Sequence, residues 1–385
     1  MSSRLGIIGG GQLALYLCEA AKALDIEVTV VSETATAPAL RYATHAVIGP
    51  LNEHGTLLRF LARCDTVTFD REDIPSDTLD YLANAEQQGH INVRPGVDTL
   101  RILKDKGLQK TWLAQQELPT LPFDILSGRP DSLSQLKARF GTAVVQKACR
   151  GGFDGRGVQI LPDVALEQLW DTPSIIEPLL EDNQELAVIV TRSAAGEVQS
   201  FPPVSMTFTP ELNSLSTVAM PASVSAELCH RATALGERVV TLLSGIGNFA
   251  IEMFLTPQGD LLINEISPRV HNSGHLTMDA CNVSQFEQHV RAVMGMDLIS
   301  PTMLSPGAMR NILYEESMRS RCPPLPRVER LPESASTIYW YGKQPGTRGR
   351  KMGHINALAA TAYDAVERVK HALGTITHNK EERAE

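Results

Sequence analysis

Apolar positions in the first hundred or so residues follow two alternating periods. Short apolar runs with the length of buried strands lie at residues 5–8, 27–31, 46–48, 66–69 and 91–93. Between them stand longer polar stretches with helical spacing. Over residues 12–24, for example, Leu13, Leu17, Ala21 and Leu24 recur on one helical face. Pro75 opens a further helix. A strand then a helix, repeated, predicts a parallel α/β unit.

Past this unit the order changes. A helix is predicted to lead away over residues 104–114, and residues 142–161 read as strand, glycine-rich loop, strand. Mixed strands and helices follow to about residue 294, a pattern of α+β rather than doubly wound type. Residues 301–306 read as a linker. Strand-like runs at 310–314 and 336–341 then precede a helix and a charged tail from Asn379. Three units are expected, at residues 1–103, 104–300 and 307–378. No repeat or low-complexity tract interrupts them.

Composition narrows the function classes. Hydrophobic residues make up 43% and charged residues 21% of the 385, an ordinary balance for a buried core. The net charge of -9 opposes a broad nucleic-acid interface but allows a local basic pocket for a phosphorylated small molecule. No apolar run approaches the ~20 residues that span a bilayer, and the chain enters its first strand without a leader-like segment. A soluble cytoplasmic protein with no membrane or nucleic-acid partner is expected. The six cysteines are scattered without a CxxC pair, which suits free thiols. Cys149 lies in a functional-looking loop, but no histidine neighbours it, so a nucleophile is the less favoured reading.

Several segments carry candidate chemistry. Gly9-x-Gly11-x-x-Ala14, after a strand and before a helix, fits a dinucleotide turn, with Glu33 as the ribose acid. Any α/β domain whose ligand approaches a helix N-terminus wants the same glycines, and nothing downstream resembles a dehydrogenase. Residues 144–157 read VVQKACRGGFDGRG, a loop whose amides, Lys147 and Arg150 can close over polyphosphate; the plain alternative is a basic surface hairpin. Glu252 interrupts an apolar strand, and the strand after the turn 256–259 ends in Asn264-Glu265. Two carboxylates on paired strands suit Mg²⁺ bridging nucleotide phosphates; a buried glutamate satisfied by arginine or backbone explains one of them better than two. Ser267-Pro-Arg269-Val-His271-Asn272-Ser273-Gly274-His275 is too rich in donors for a core element. Arg269 suits phosphate, and His271 and Asn272 suit a polar substrate; a histidine metal site is the alternative, with His275 structural. Lys343, Arg348, Arg350 and Lys351 cluster in an acidic protein, as a phosphate monoester or simply a solvated loop would require.

A lysine-bearing glycine loop, then a glutamate, then E-x-F and N-E is the pattern of ATP-grasp enzymes. Within them the chain resembles the ATP-dependent carboxyaminoimidazole ribonucleotide synthetases of purine biosynthesis. The resemblance rests on GIIGGGQL, RGGFDGRG, INEISPRVHNSGH with SQFEQH, and YGK with RGRKMGH, which span residues 6 to 354 in order. It implies a Rossmann-like pre-ATP-grasp domain, a central ATP-grasp domain and a small C-terminal domain, α/β and α+β together, in a homodimer. It implies carboxylation of aminoimidazole ribonucleotide by ATP and bicarbonate through carboxyphosphate. ATP would meet Lys106, Lys147, the loop Gly151, Gly152, Phe153, Asp154, Gly155, Arg156 and Gly157, Glu177 beside the adenine, Glu185 at the ribose, and Asn264. Mg²⁺ would be held by Glu252 and Glu265. The ribonucleotide would meet Gln12, Glu72, Arg269, His271, Asn272, Lys343, Arg350 and Lys351. Asp154, as the base, with Arg269 and Lys351 would act in the chemistry.

The chain departs from that family at defined places. Phe153 replaces a tyrosine, and Asp105-Lys106 replaces Asp-Arg, which loses a planar fork. Ala14-Leu15-Tyr16 stands for Gly-Arg-Met, and Asp70-Arg71-Glu72-Asp73 for E-F-E-N. Phe208 occupies the place of a nucleotide-contacting histidine. An active, divergent synthetase is the favoured reading. The alternatives are a paralogue acting on another amine or carboxylate and a non-catalytic nucleotide-binding homologue.

Overall fold

The structure is a computed structural model, and it describes residues 4–152, 157–209, 214–318, 321–344 and 346–378. At the N-terminus five parallel strands lie in the order His45–Ile48, Glu27–Ser32, Arg4–Ile8, Thr66–Phe69, Asn92–Val93. The central strand is the most apolar, and its Leu5, Ile7 and Ile8 have no exposed surface. Helix Gln12–Ala23 packs Leu13, Leu17 and Ala21 on this sheet. The same core includes Phe286 and Val290 of helix Gln285–Val293 and Tyr339 and Tyr341 of the C-terminal region. One hydrophobic cluster therefore ties the N-terminal unit to both others.

Beyond it are two sheets. The smaller is antiparallel, in the order Asp124–Leu126, Ser174–Pro178, Val144–Ala148, Val158–Leu161. The larger has ten strands. Its strands Gln184–Arg192 and Gly247–Leu255 alternate sides with period two. Leu186, Val188, Val190, Ile251 and Met253 pack against helix Ala226–Leu243 on one face. Gly236 allows that close approach, since a Cβ there would stand 3.1 Å from Val190 Cγ2. Ala187, Ile189 and Ala250 belong to the other face.

The strands after residue 307 continue this larger sheet: Thr217–Met220 pairs antiparallel with Gly307–Arg310. Strand Lys351–Leu358 lies between Gly307–Leu313 and Ser336–Tyr341, so the first three residues of the basic cluster are loop and Lys351 begins a buried strand. Ala365, Val369 and Ala372 of the last helix, Ala362–His378, cover that end of the sheet with Ile312 and Ile355. The helix expected over residues 104–114 is Lys106–Gln115, and a separate helix, Val97–Leu103, precedes it. Asp105 separates them. It is extended, and its carboxylate accepts from the Gly107 and Leu108 amides at 3.0 and 3.1 Å, an N-cap worth about 1 kcal/mol. Among the described residues no helix is long and apolar enough to cross a membrane.

Candidate active site

The alternation that buries Ile251 and Met253 on one face turns Glu252 to the other. Glu252 stands directly opposite Glu265 on strand Leu261–Ser267. The register shifts there: Met253 pairs with Ile263, leaving Asn264 as the extra residue of a bulge. Cross-strand partners share a face with Cβ atoms about 5 Å apart, so the bulge brings two carboxylates and an amide to one place. Glu185 lies on the same face, since Ala187, two residues on, is opposite Glu252.

Like charges in one buried place resist ionisation. Burial, then Glu265 and Glu185, push the Glu252 carboxyl up to about 8, while Lys106 and Lys351 oppose the shift. Burial raises Glu185 to about 7, opposed by Lys147. Lys106 Nζ answers this charge by pairing with Glu265, and His271 Nε2 lies 3.3 Å from Glu252. Burial alone would lower the Lys106 pKa, but Glu265, Glu72 and Glu252 outweigh it and raise it. Two carboxylates with an amide are a hard-oxygen set. They fit Mg²⁺, which takes one or two protein carboxylates and fills its octahedron with water and phosphate oxygens. Among the described residues no group of three His, Cys, Asp or Glu forms a fuller metal cage.

Across from this face stands the smaller sheet. Its Lys147 Nζ donates to Asn264 Oδ1 at 2.7 Å and lies 2.6 Å from Glu177 Oε2. The same ammonium is 5.9 Å from the centre of the Phe254 ring on the larger sheet. Glu177 is fully buried and also pairs with Lys110. Burial works against its ionisation, but Lys147 and Lys110 hold its pKa below the ordinary value. A polar cavity between the sheets is lined by Lys106, Lys110, Lys147, Asn264 and Glu265 with Gln109 and Ile175. The glycine loop begins and ends in the left-handed region, with φ of +77° at Gly151 and +76° at Gly157. A Cβ on Gly157 would stand 2.9 Å from Gly152 Cα. Phe153, Asp154, Gly155 and Arg156 lie outside the described residues.

A second group of charges faces the N-terminal unit. Arg269 grips Glu72 through two nitrogens, Nε to Oε2 and Nη2 to Oε1, the latter at 3.1 Å. Burial opposes ionisation of Glu72, yet Arg269 and Lys106 hold its carboxyl down at about 2. Asp70 accepts from the Gly11 amide at 2.6 Å, and a Cβ on Gly9 would collide with its carboxylate. The glycine turn is thus shaped around Asp70, and Glu33 pairs at 3.0 Å with Arg71 on the surface. Gln12 opens the first helix beside this turn, partly buried. His271 is fixed by Ser273 Oγ at 2.9 Å and by Gln285, which bonds its backbone on both sides. The buried Asn272 amide has no hydrogen-bond partner among the described residues. Lys343 lies 5.3 Å from the Tyr341 ring centre, Lys351 is buried, Arg350 is half-buried and Arg348 is exposed.

Sequence reasoning missed Lys110, which reads as one more lysine on a helix. It also missed an aromatic stack beneath the basic cluster: His275 and His354 are parallel at 4.4 Å, and His354 and Tyr339 at 4.6 Å. Both histidines are fully buried, which lowers their pKa, and His275 stacks within the core; among the described residues no group of three His, Cys, Asp or Glu that could hold a metal forms around it. Phe208, partly buried against the core with Met206 and Leu215, follows a bulge in strand Val204–Thr209.

Comparison with known proteins covers all three regions. Residues 2–104 match the ribonucleotide synthetase preATP-grasp domain, residues 111–286 the ATP-grasp domain, and residues 307–368 the phosphoribosylaminoimidazole carboxylase C-terminal domain. The N5-carboxyaminoimidazole ribonucleotide synthase of Bacillus subtilis is 34% identical over 358 residues, covering 91% of this chain and 90% of that protein. The crystal structure of the N5-carboxyaminoimidazole ribonucleotide synthetase from Thermotoga maritima superposes with a TM-score of 0.83 at 34% identity, over 96% of this chain and 98% of that one. The N5-carboxyaminoimidazole synthase of Aspergillus clavatus, solved with ADP and 5-aminoimidazole ribonucleotide, gives a TM-score of 0.84 at 27% identity, over 97% and 98% of the two chains.

Proposed function

This chain belongs to the N5-carboxyaminoimidazole ribonucleotide synthetase family of ATP-grasp ligases, and we propose that it uses ATP and bicarbonate to carboxylate the amine of 5-aminoimidazole ribonucleotide. One observation carries the reading. Glu265, opposed to Glu252, lines a cavity with Lys147 of the smaller sheet and Lys106 of the helix Lys106–Gln115, and His271 links Glu252 to the donor-rich segment at Arg269.

Nucleotide phosphates enter where Lys147 and Lys106 stand, under the loop that starts at Gly151, with Glu177 and Glu185 on the nucleotide side. When bound there, Mg²⁺ supplies charge neutralisation to the phosphates and is held by Glu252 and Glu265, with Asn264 beside them. An oxygen of bicarbonate attacks the γ-phosphorus, the bond to the bridging oxygen breaks, and ADP leaves. Lys147 and Lys106 stabilise the negative charge that shifts toward the leaving group. The amine of the ribonucleotide then attacks the carboxyl carbon of carboxyphosphate, and phosphate leaves. Asp154 takes the amine proton. Arg269, Lys343, Arg350 and Lys351 hold the phosphate of the ribonucleotide, with Gln12, Glu72, His271 and Asn272 around the rest. Asn272 suits that task because its buried amide otherwise lacks a partner among the described residues. The family resemblance also supports a cytoplasmic homodimer.

The test incubates the protein with ATP, Mg²⁺ and bicarbonate and measures ADP with and without the ribonucleotide. Ribonucleotide-dependent ADP is the expected outcome. ADP binding without any such turnover would overturn the activity in favour of a nucleotide-binding homologue. Asp154→Asn is expected to abolish carboxylation, and undiminished activity would remove Asp154 from the mechanism.

A further inference from the structure

Lys110 lies one turn beyond Lys106 on the helix Lys106–Gln115, and its side chain is only 3% exposed. A lysine buried to that degree must place its three N–H groups on partners. One goes to Thr120 Oγ1 at 2.6 Å, and Thr120 is anchored in turn by donating to the Ile263 carbonyl at 2.7 Å. Another meets Glu177 Oε1, while Glu177 Oε2 takes Lys147. The result is a buried chain running Thr120, Lys110, Glu177, Lys147, Asn264, with both ends tied to strand Leu261–Ser267.

The charges in this chain do not balance. Two ammonium groups share one carboxylate, which leaves one positive charge in excess, whereas Lys106 is balanced by Glu265. Without Lys110, Glu177 would keep Lys147 as its one partner among the described residues, and in a site of low dielectric that pair would be close to neutral toward any phosphate. Lys147 would also be drawn toward the smaller sheet, away from Asn264. With Lys110 in place, Glu177 is shared, and Lys147 keeps both its position and its charge.

We propose that Lys110 is a positioning residue for nucleotide use: it engages one oxygen of Glu177, so that Lys147 stays anchored between Glu177 and Asn264 with its charge available to a phosphate. The inference rests on the reading above that Lys147 meets nucleotide phosphates. It assigns Lys110 no contact with the reacting atoms.

The test compares Lys110→Gln in two backgrounds, with Mg²⁺-ADP binding followed by titration calorimetry and ATP turnover followed as KM and kcat. In the parent, Lys110→Gln is expected to weaken ADP binding about tenfold or more and to raise the ATP KM in proportion, with kcat within about threefold. Lys110→Arg keeps the charge and is expected to recover most of the affinity. In a Glu177→Gln background there is no carboxylate to capture Lys147, so adding Lys110→Gln is expected to cost less than about threefold. A full tenfold loss in that background would mean that Lys110 acts on the nucleotide directly, and it would overturn the proposal. Parental ADP affinity in Lys110→Gln would overturn it as well. If Lys110→Gln alone does not fold, the Glu177→Gln comparison, which leaves no unpaired buried carboxylate, still decides. The two readings fail separately: absence of ribonucleotide-dependent turnover in the unaltered protein counts against the activity, while the ADP titrations continue to judge Lys110.

Discussion

Removal of Arg269 is expected to cost the protein stability in a pH-dependent way that the structure allows to be sized. The Arg269–Glu72 pair joins the loop after strand Thr66–Phe69 to the loop after strand Leu261–Ser267, and its side chains are 15% and 20% exposed. In the folded protein the Glu72 carboxyl is held at about 2 against an ordinary 4.5. At about 1.4 kcal/mol per pH unit, that difference is about 3 kcal/mol. The sign is that of a depressed acid: the stabilisation is present above the unfolded value and is lost as pH falls through the folded one. At pH 7 it is complete, and near pH 3 about half of it remains.

The assay is urea unfolding of the parent, Arg269→Met, Glu72→Gln and the double variant, taken as a cycle at both pH values. The cycle matters because Arg269→Met alone also leaves a buried carboxylate without its bidentate partner, a cost that belongs to the break and not to the pair. A coupling energy of at least about 3 kcal/mol at pH 7, since the pair must also outweigh the burial of Glu72, and a substantially smaller one near pH 3 are expected. A coupling under about 1 kcal/mol at pH 7, or one that does not change with pH, would refute the assignment of the depressed carboxyl to Arg269.

Glu252→Gln is expected to raise the melting temperature of the nucleotide-free protein increasingly from pH 5 to pH 8 while weakening Mg²⁺-dependent ADP binding. Its carboxyl is raised to about 8 in the fold, so the stability it contributes is present below the ordinary value of 4.5 and is lost as pH rises through about 8; an advantage that stays flat across that range would count against it. Lys147→Met is expected to weaken ADP binding about tenfold or more, the scale of a charge-assisted contact, and calorimetry showing parental affinity would remove Lys147 from the phosphate site. Gly157→Ala places a Cβ against Gly152 Cα at a positive φ, which is expected to cost about 1–2 kcal/mol in urea unfolding; an unchanged midpoint would show that the turn relaxes freely.

What the sequence made legible follows from the range over which each signal acts. Glu252 was visible because Phe249, Ile251, Met253 and Leu255 alternate around it, and a period of two is read within one strand. The bulge at Asn264 that sets Glu265 opposite it is a register property of two strands, and no local pattern announces it. Strand Lys351–Leu358 was hidden because Lys351, His354 and Asn356 stand where apolar residues would mark a central strand; their burial depends on Tyr341, Asp279 and the stacked His275. Glu33 fitted a spacing rule for ribose binding, yet it pairs with Arg71, a residue that rule does not consult.

Lys110 shows the same limit from the other side. On a helix surface a lysine four residues after another reads as a solvated face, and it takes Glu177, on a strand far away in the chain, together with Thr120 to make its burial tolerable. The pairs that define this site are all of that long-range kind: Arg269 with Glu72, Lys106 with Glu265, His271 with Glu252, and Lys110 and Lys147 with Glu177. Motifs name the charged groups; the fold assigns each its resting partner. An anionic nucleotide arriving here with its metal does not meet bare cations. On the proposed function it would exchange partners: phosphate oxygens would take over Lys106 and Lys147, and Glu265 and Glu252 would be left to hold the metal. Its affinity is then the difference between two sets of ion pairs, which is why a residue such as Lys110, acting on the resting set alone, can govern binding without touching the ligand.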